Sequence, residues 1–307
     1  MIVVSGEALM DVFAAGDTAT GLMLDARVGG SPFNVAVGLA RLQRPVAFFG
    51  ALSDGFLGDR LLAALSAEGV GTQCLARVNA PTTLGLVGLD AKGVPSYAFY
   101  GEGAADRQVQ PAMLASVPAA KAFQFGSYAM VVEPVASTQR ALVEREQGRS
   151  VIAYDPNVRL NVEPDLDRWR ETLAWMLPRT QLLKVSDEDL GLLFPGVAPA
   201  ELAARWLQAG VSLVVVTRGG EGAWAWTPRG HVETAPVRVQ VIDTVGAGDT
   251  FQAALLTSLD EQGLLDPASL KTLDKAPLRA ALDFAARAAA ITCSRRGADL
   301  PRRNELG

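Results

Sequence analysis

Asp243-Thr-Val-Gly-Ala-Gly-Asp-Thr-Phe251 follows an apolar run, Val237 to Ile242, and opens a segment in which Phe251, Leu255, Leu256 and Leu259 recur at helical spacing. Glycines at a helix start let backbone N–H groups converge on an anion, and the helix dipole adds to the attraction. Asp249 falls in the first turn, where a carboxylate also steadies the helix. Taken alone, Gly-Ala-Gly-Asp fits a strand-to-helix turn with a capping acid just as well. Two nucleotide motifs are excluded. Phe251 stands where a Gly-x-Gly-x-x-Gly fingerprint needs its third glycine, and Gly-x-x-x-x-Gly-Lys-Ser/Thr occurs nowhere.

Outward from this segment, short apolar runs alternate with amphipathic ones. Ile2 to Val4, Val46 to Phe49, Ala122 to Phe125, Val151 to Tyr154, Leu182 to Val185 and Leu213 to Val216 suit a parallel sheet covered on both faces. Between them, helical stripes are carried by Leu57, Leu61, Leu62 and Leu65; by Leu166, Trp169, Leu173 and Leu177; and by Leu202, Ala203, Trp206 and Leu207. The alternation predicts a Rossmann-like, doubly wound α/β fold with a mainly parallel sheet. Thr83 to Leu89 and Pro95 to Tyr100 break the pattern as a hairpin turning at Asp90-Ala-Lys-Gly93. With Met10 to Val28 they predict a small β-sheet lid, so the expectation is one domain over 1–307 with lid strands within 10–28 and 83–101. A second hairpin is predicted from Gly222 to Thr227 and Val232 to Ala235.

Composition narrows the function classes. The 307 residues are 49% hydrophobic and 20% charged, with net charge −5 and no basic stripe, so no nucleic-acid partner is expected. Cys74 and Cys293 stand far apart, which argues against a disulfide framework or zinc site and for a reducing compartment. The start lacks a basic leader, and no apolar run reaches the roughly 18–20 residues of a membrane span, so a cytoplasmic location is expected. His231, the only histidine, sits in the second hairpin with no triad partner in view.

Two motifs together carry a resemblance. Asp243 to Phe251 and Gly29-Gly-Ser-Pro-Phe-Asn-Val-Ala36 resemble the paired signatures of the ribokinase-like (PfkB) carbohydrate kinases, and further matches run from about residue 3 to 301. The resemblance implies a ribokinase-like fold and transfer of the γ-phosphate of ATP to a sugar. It makes the amides of Gly246, Ala247 and Gly248 an anion hole and Asp249 the catalytic base. Asp11, Gly29, Gly30 and Asn34 would bind sugar hydroxyls; the lid aromatics Tyr97, Phe99 and Tyr100 read either as a cover over that sugar or as core packing beneath the lid sheet. Ser31 reads as the N-cap of the following helix, with Pro32 in its first position.

Asp155-Pro-Asn-Val-Arg159 is similar to the run found in fructokinases and 2-keto-3-deoxygluconate kinases, which makes Arg159 a sugar or phosphate contact. Thr217-Arg-Gly-Gly-Glu-Gly222 is similar to the family's nucleotide loop, giving Thr217, Gly219 and Gly222, together with Lys184, as nucleotide contacts. Where the family shows Asn-x-x-Glu, this chain has Ser186 and Asp189; Asp189 keeps a carboxylate for an indirect Mg2+ role. Asp243 and the segment Ala285 to Ala298 are similar to the surroundings of a monovalent-cation (K+) site. The motifs are most similar to those of bacterial fructokinases, which implies D-fructose and ATP as substrates and a homodimer joined through the lid. A 2-keto-3-deoxygluconate kinase, a sugar sensor without turnover and a dehydrogenase are the rival readings.

Overall fold

In β1 (Ile2–Ser5), Ile2 and Val4 face one buried cluster and Val3 faces the other, as the two-residue period of a strand requires. This computed structural model describes residues 1–89 and 95–307. The turn predicted at Asp90-Ala-Lys-Gly93 and the side chain of Tyr97 lie outside the described residues.

β1 pairs in parallel with β4 (Val46–Ser53) and with β8 (Ala122–Gly126). Beyond β4 lies β5 (Leu75–Val78), and beyond β8 follow β9 (Val151–Asp155), β10 (Leu182–Ser186) and β11 (Leu213–Thr217), all parallel. The second predicted hairpin, β12 (Ala223–Thr227) and β13 (Gly230–Thr234), extends this nine-stranded sheet in the antiparallel sense. Chain order thus runs outward both ways from β1 and β8. The strand order reverses between them, and ligands of open α/β sheets bind at the carboxyl edge of such a point.

One face packs α1 (Ser31–Arg41), α2 (Phe56–Ala67), α7 (Ala247–Glu261), α8 (Pro267–Lys271) and α9 (Lys275–Cys293). The other packs α3 (Val135–Glu146), α4 (Leu166–Met176), α5 (Asp187–Leu193) and α6 (Pro199–Gln208). Each helix turns its predicted stripe inward, and Leu61, Leu65, Trp169, Leu173 and Trp206 are all buried. Burying a Leu-sized side chain contributes about 1.5–3 kcal/mol, so the two layers hold the site's strand ends in place. The lid is a separate sheet of β2 (Leu9–Asp17), β3 (Leu22–Gly29), β6 (Leu84–Leu89) and β7 (Pro95–Tyr100), in the order β3-β2-β6-β7.

One expectation is corrected. The apolar run Val237 to Ile242 forms no strand; it crosses the carboxyl edge of the sheet as irregular chain, with Val241 61% exposed. Arg238 and Gln240 interrupt the run, so it cannot be buried on both faces as the central strands are. Cys74 and Cys293 are both free thiols, and His231 lies exposed near Glu233. No helix among the described residues is long and apolar enough to cross a membrane.

Candidate active site

The N-cap of α7 is Gly246, whose φ of 78° lies in the left-handed region where glycine alone is unstrained. A side chain there would also collide with Ala298, since a Cβ would sit 2.7 Å from the alanine's own. The loop before it is pinned by Asp243, whose Oδ1 accepts from the Val245 amide (3.1 Å) and Oδ2 from the Gly297 amide (2.7 Å). Against the penalty of partial burial, these bonds hold the Asp243 carboxyl below the usual carboxylate range. The first amides of a helix have no partner within it; Gly246, Ala247 and Gly248 line a cleft of about 1140 Å³, where the Ala247 amide donates to Thr244 O at 3.2 Å.

Asp249 follows in the first turn of α7, and both of its oxygens are held from α1. Ser31 Oγ donates to Oδ1 at 2.6 Å and Asn34 Nδ2 donates to Oδ2 at 2.8 Å. The predicted N-cap role of Ser31 is therefore corrected. Gly30 occupies the cap with φ 108°, a geometry a serine resists, and the serine hydroxyl turns across to Asp249. Asn34 is only 8% exposed and does not face solvent. Burial pushes the Asp249 carboxyl up; Ser31, Asn34 and Lys184 draw it back, and Asp155 adds to the push.

Asp11 is brought to the same place from the lid. On β2 it stands opposite Arg27 of β3 and Gly85 of β6, and a side-chain carbon at Gly29 would fall on its Oδ2. Burial lifts the Asp11 carboxyl to about 6, with Arg159 opposing and Asp249 adding to the rise. The Arg159 guanidinium donates only to its own neighbour, Val158 O, at 2.9 Å among the described residues, and its charge acts on Glu7, Asp11 and Asp189. Phe99 meets Tyr128 edge-on at 5.5 Å and lines the cleft, whereas Tyr100 is exposed.

On the opposite wall, Lys184 Nζ pairs with Asp155 Oδ2 at 2.6 Å, their side chains 5% and 6% exposed. The same Nζ lies 3.2 Å from where a side-chain carbon of Gly248 would be, which puts a positive charge beside the helix amides. Ser186 caps α5 by accepting from the Asp189 amide (3.0 Å), and Asp189 Oδ1 accepts from the Val158 amide (3.1 Å). Burial and then Asp155 raise the Asp189 carboxyl to about 6, against Lys184 and Arg159. Thr217, Gly219 and Gly222 line this end of the cleft, as do Val237, Val239 and Val241 of the irregular run.

The cleft thus gathers Asp11, Gly30, Asn34, Phe99, Arg159, Lys184, Asp189, Thr217, Gly219, Gly222 and the 246–249 loop; Gly29 and Asp243 stand just behind its wall. Sequence reasoning missed Ser31 as a partner of Asp249, Asp155 as the partner of Lys184, and Glu7. Glu7 lies between β1 and β2 at the strand-order reversal, and burial lifts its carboxyl to about 8, against the nearby Ser127 hydroxyl.

What this fold and cleft define together is a phosphotransferase for small hydroxylated molecules. The profile of the pfkB family carbohydrate kinases matches residues 1–304, and the chain belongs to that family. It is 37% identical over 306 residues to the fructokinase of Rhizobium leguminosarum bv. trifolii, covering 99% of this chain and 92% of that protein. Among solved structures, the Xylella fastidiosa fructokinase with bound ATP superposes with a TM-score of 0.88 at 29% identity, over 99% of this chain and 96% of that one. The Vibrio cholerae O395 fructokinase in its fructose, ADP and calcium ion bound form gives 0.83 at 26% identity, over 99% and 97%.

Proposed function

We propose that this enzyme transfers the γ-phosphate of ATP to D-fructose, yielding fructose 6-phosphate and ADP. The observation that carries the reading is the placement of Asp249. It stands where the sugar-side residues Asp11, Gly30 and Asn34 meet the phosphate-side residues Gly246 to Gly248 and Lys184. Each Asp249 oxygen has two lone-pair directions and spends one on α1, which leaves room to accept the proton of a sugar hydroxyl. The freed oxygen attacks the γ-phosphorus as its bond to the β-phosphate oxygen breaks. The helix amides and Lys184 neutralise the charge of the transferring group, which is the main task in phosphoryl transfer.

Mg2+ fits with Asp189, whose Oδ1 alone is engaged among the described residues. One carboxylate plus nucleotide phosphates and water is the usual arrangement, and the ion would offset phosphate charge. Each Asp243 oxygen accepts one backbone N–H and keeps a second lone-pair direction, which leaves room for a K+ ion beside the loop. Phe99 would close over the sugar and keep water from competing for the phosphate. The exposed Leu22, Met23 and Leu24 on edge strand β3 are the apolar surface that a lid-to-lid homodimer would cover. The free thiols suit a cytoplasmic setting.

Fructose should give kcat/KM at least about tenfold above ribose, adenosine or 2-keto-3-deoxygluconate, since a mismatched hydroxyl leaves buried groups unpaired. ADP release on the four substrates checks this, and a win for the keto acid by that margin would replace the sugar assignment while keeping the enzyme class. The carboxylates of Asp11 and Asp189, both charged at neutral pH, offset Arg159 and disfavour an anionic sugar. Sugar KM should also rise as pH falls below about 6, because Asp11 then takes up a proton and loses its charged hydrogen bonds. Asp11→Asn should raise KM at neutral pH and flatten that profile; an unchanged profile in the variant would take Asp11 out of the sugar site.

A further inference from the structure

Asp249 lies where the amino ends of two helices meet: it belongs to the first turn of α7, and the first turn of α1 supplies both of its hydrogen bonds. Ser31 is the first residue of α1, and its hydroxyl caps no amide of its own helix. That hydroxyl is committed instead, at 2.6 Å, to a carboxylate 218 positions away. A carboxylate that accepts such a bond keeps its charge more readily, and its orientation is fixed.

We propose that Ser31 is a positioning residue for the reaction: its hydroxyl holds Asp249 Oδ1 and keeps the base ionised at neutral pH inside a buried site. This deepens the kinase reading above and rests on Asp249 being the base. The two donors on Asp249 are not equivalent. Asn34 is an amide bound to Oδ2 and faces the sugar side of the cleft, whereas Ser31 is bound to Oδ1 and lies beside the backbone cap at Gly30. Around the carboxylate stand Ser31 and Asn34 from α1, Lys184 from β10, Asp155 from β9 and Asp11 from β2. Lys184 is already paired with Asp155, so the Ser31 bond is a principal support of the charged form that a single substitution removes without touching another charge.

The test is the pH dependence of kcat, which reports groups in the substrate complex and so separates Asp249 from Asp11, whose ionisation enters through KM. Ser31→Ala should move the acid limb of kcat to higher pH and lower kcat at pH 7 by about tenfold, with sugar KM changed by less than about threefold. Ser31→Thr, which keeps the hydroxyl, should return the limb to its wild-type position. Thermal melts of both variants should match the wild type. An alanine variant whose limb stays in place overturns the proposal, as does one in which KM alone changes, or a threonine variant that behaves like alanine. The assay uses whichever sugar the wild type turns over fastest. Failure of fructose as substrate therefore leaves the Ser31 test intact, and a limb already insensitive to Asp249→Asn would count against the base itself.

Discussion

Asp249→Ala should lower kcat by about 10²–10⁴-fold, the range lost with a positioned acid–base group. The structure makes this a loss of chemistry rather than of fold. Asp249 is a carboxylate taken partly out of water, which costs free energy, and its helix-dipole contact at the start of α7 is worth only about 0.3–1 kcal/mol. Removing it frees Ser31 Oγ and Asn34 Nδ2, both of which line the cleft, and the space the carboxylate vacates can admit water in place of the lost partner. The melting temperature should therefore stay close to the wild type. Sugar and nucleotide affinity should also persist, because Asp11, Lys184 and the α7 amides remain. Single-turnover rates alongside binding titrations separate the two effects. Near-normal turnover in this variant would remove Asp249 from the mechanism.

The second large effect is on stability. Lys184→Met should destabilise the protein by about 3–5 kcal/mol, because it leaves Asp155 as an uncompensated charge in the interior. The pair is held at 2.6 Å with both side chains nearly inaccessible, so solvent screens neither partner. Asp155→Asn together with Lys184→Met should recover most of that loss, as removal of a buried pair is far less costly than removal of half of one. The double variant should nevertheless bind nucleotide poorly, since the Nζ beside Gly248 is gone. Urea unfolding of the three proteins gives the comparison; a single variant within about 1 kcal/mol of wild type would show that the pair is hydrated in solution.

Local pattern carried most of the fold. The apolar runs from Ile2 to Val216 became strands because each is short, continuous and bounded by an amphipathic stripe, and those stripes turn inward as their spacing requires. The Val237 to Ile242 run differs, because Arg238 and Gln240 alternate with its apolar residues, and it stays outside the sheet as irregular chain. The site was legible where a residue type is tied to a local motif, as with Asp249 behind Gly246 to Gly248. It was illegible where function arises from a meeting of distant segments. Ser31 looked like a cap because serine before a helix usually is one, and only the approach of α1 to α7 gives its hydroxyl a better partner. Lys184 and Asp155 sit on neighbouring strands 29 positions apart, a pairing that needs the strand order. Glu7 reads as an ordinary polar residue until its near-complete burial is seen.

The pin between Asp243 and Gly297 spans 54 positions, and it sets an order of events on the ribosome. The lid, α1 and the sugar-side strand ends all precede residue 160, so they can assemble while the chain is still growing. The phosphate cradle cannot. Ile242 and Asp243 donate their amides to Cys293 O, Asp243 waits for the Gly297 amide, and Gly246 packs on Ala298. A nascent chain stopped short of residue 293 should hold a sugar side without a working phosphate cradle. Such a half-built enzyme should not spend ATP on water, because the loop carrying Gly246 to Gly248 is fixed in place only once residues 293 to 298 are available to anchor it.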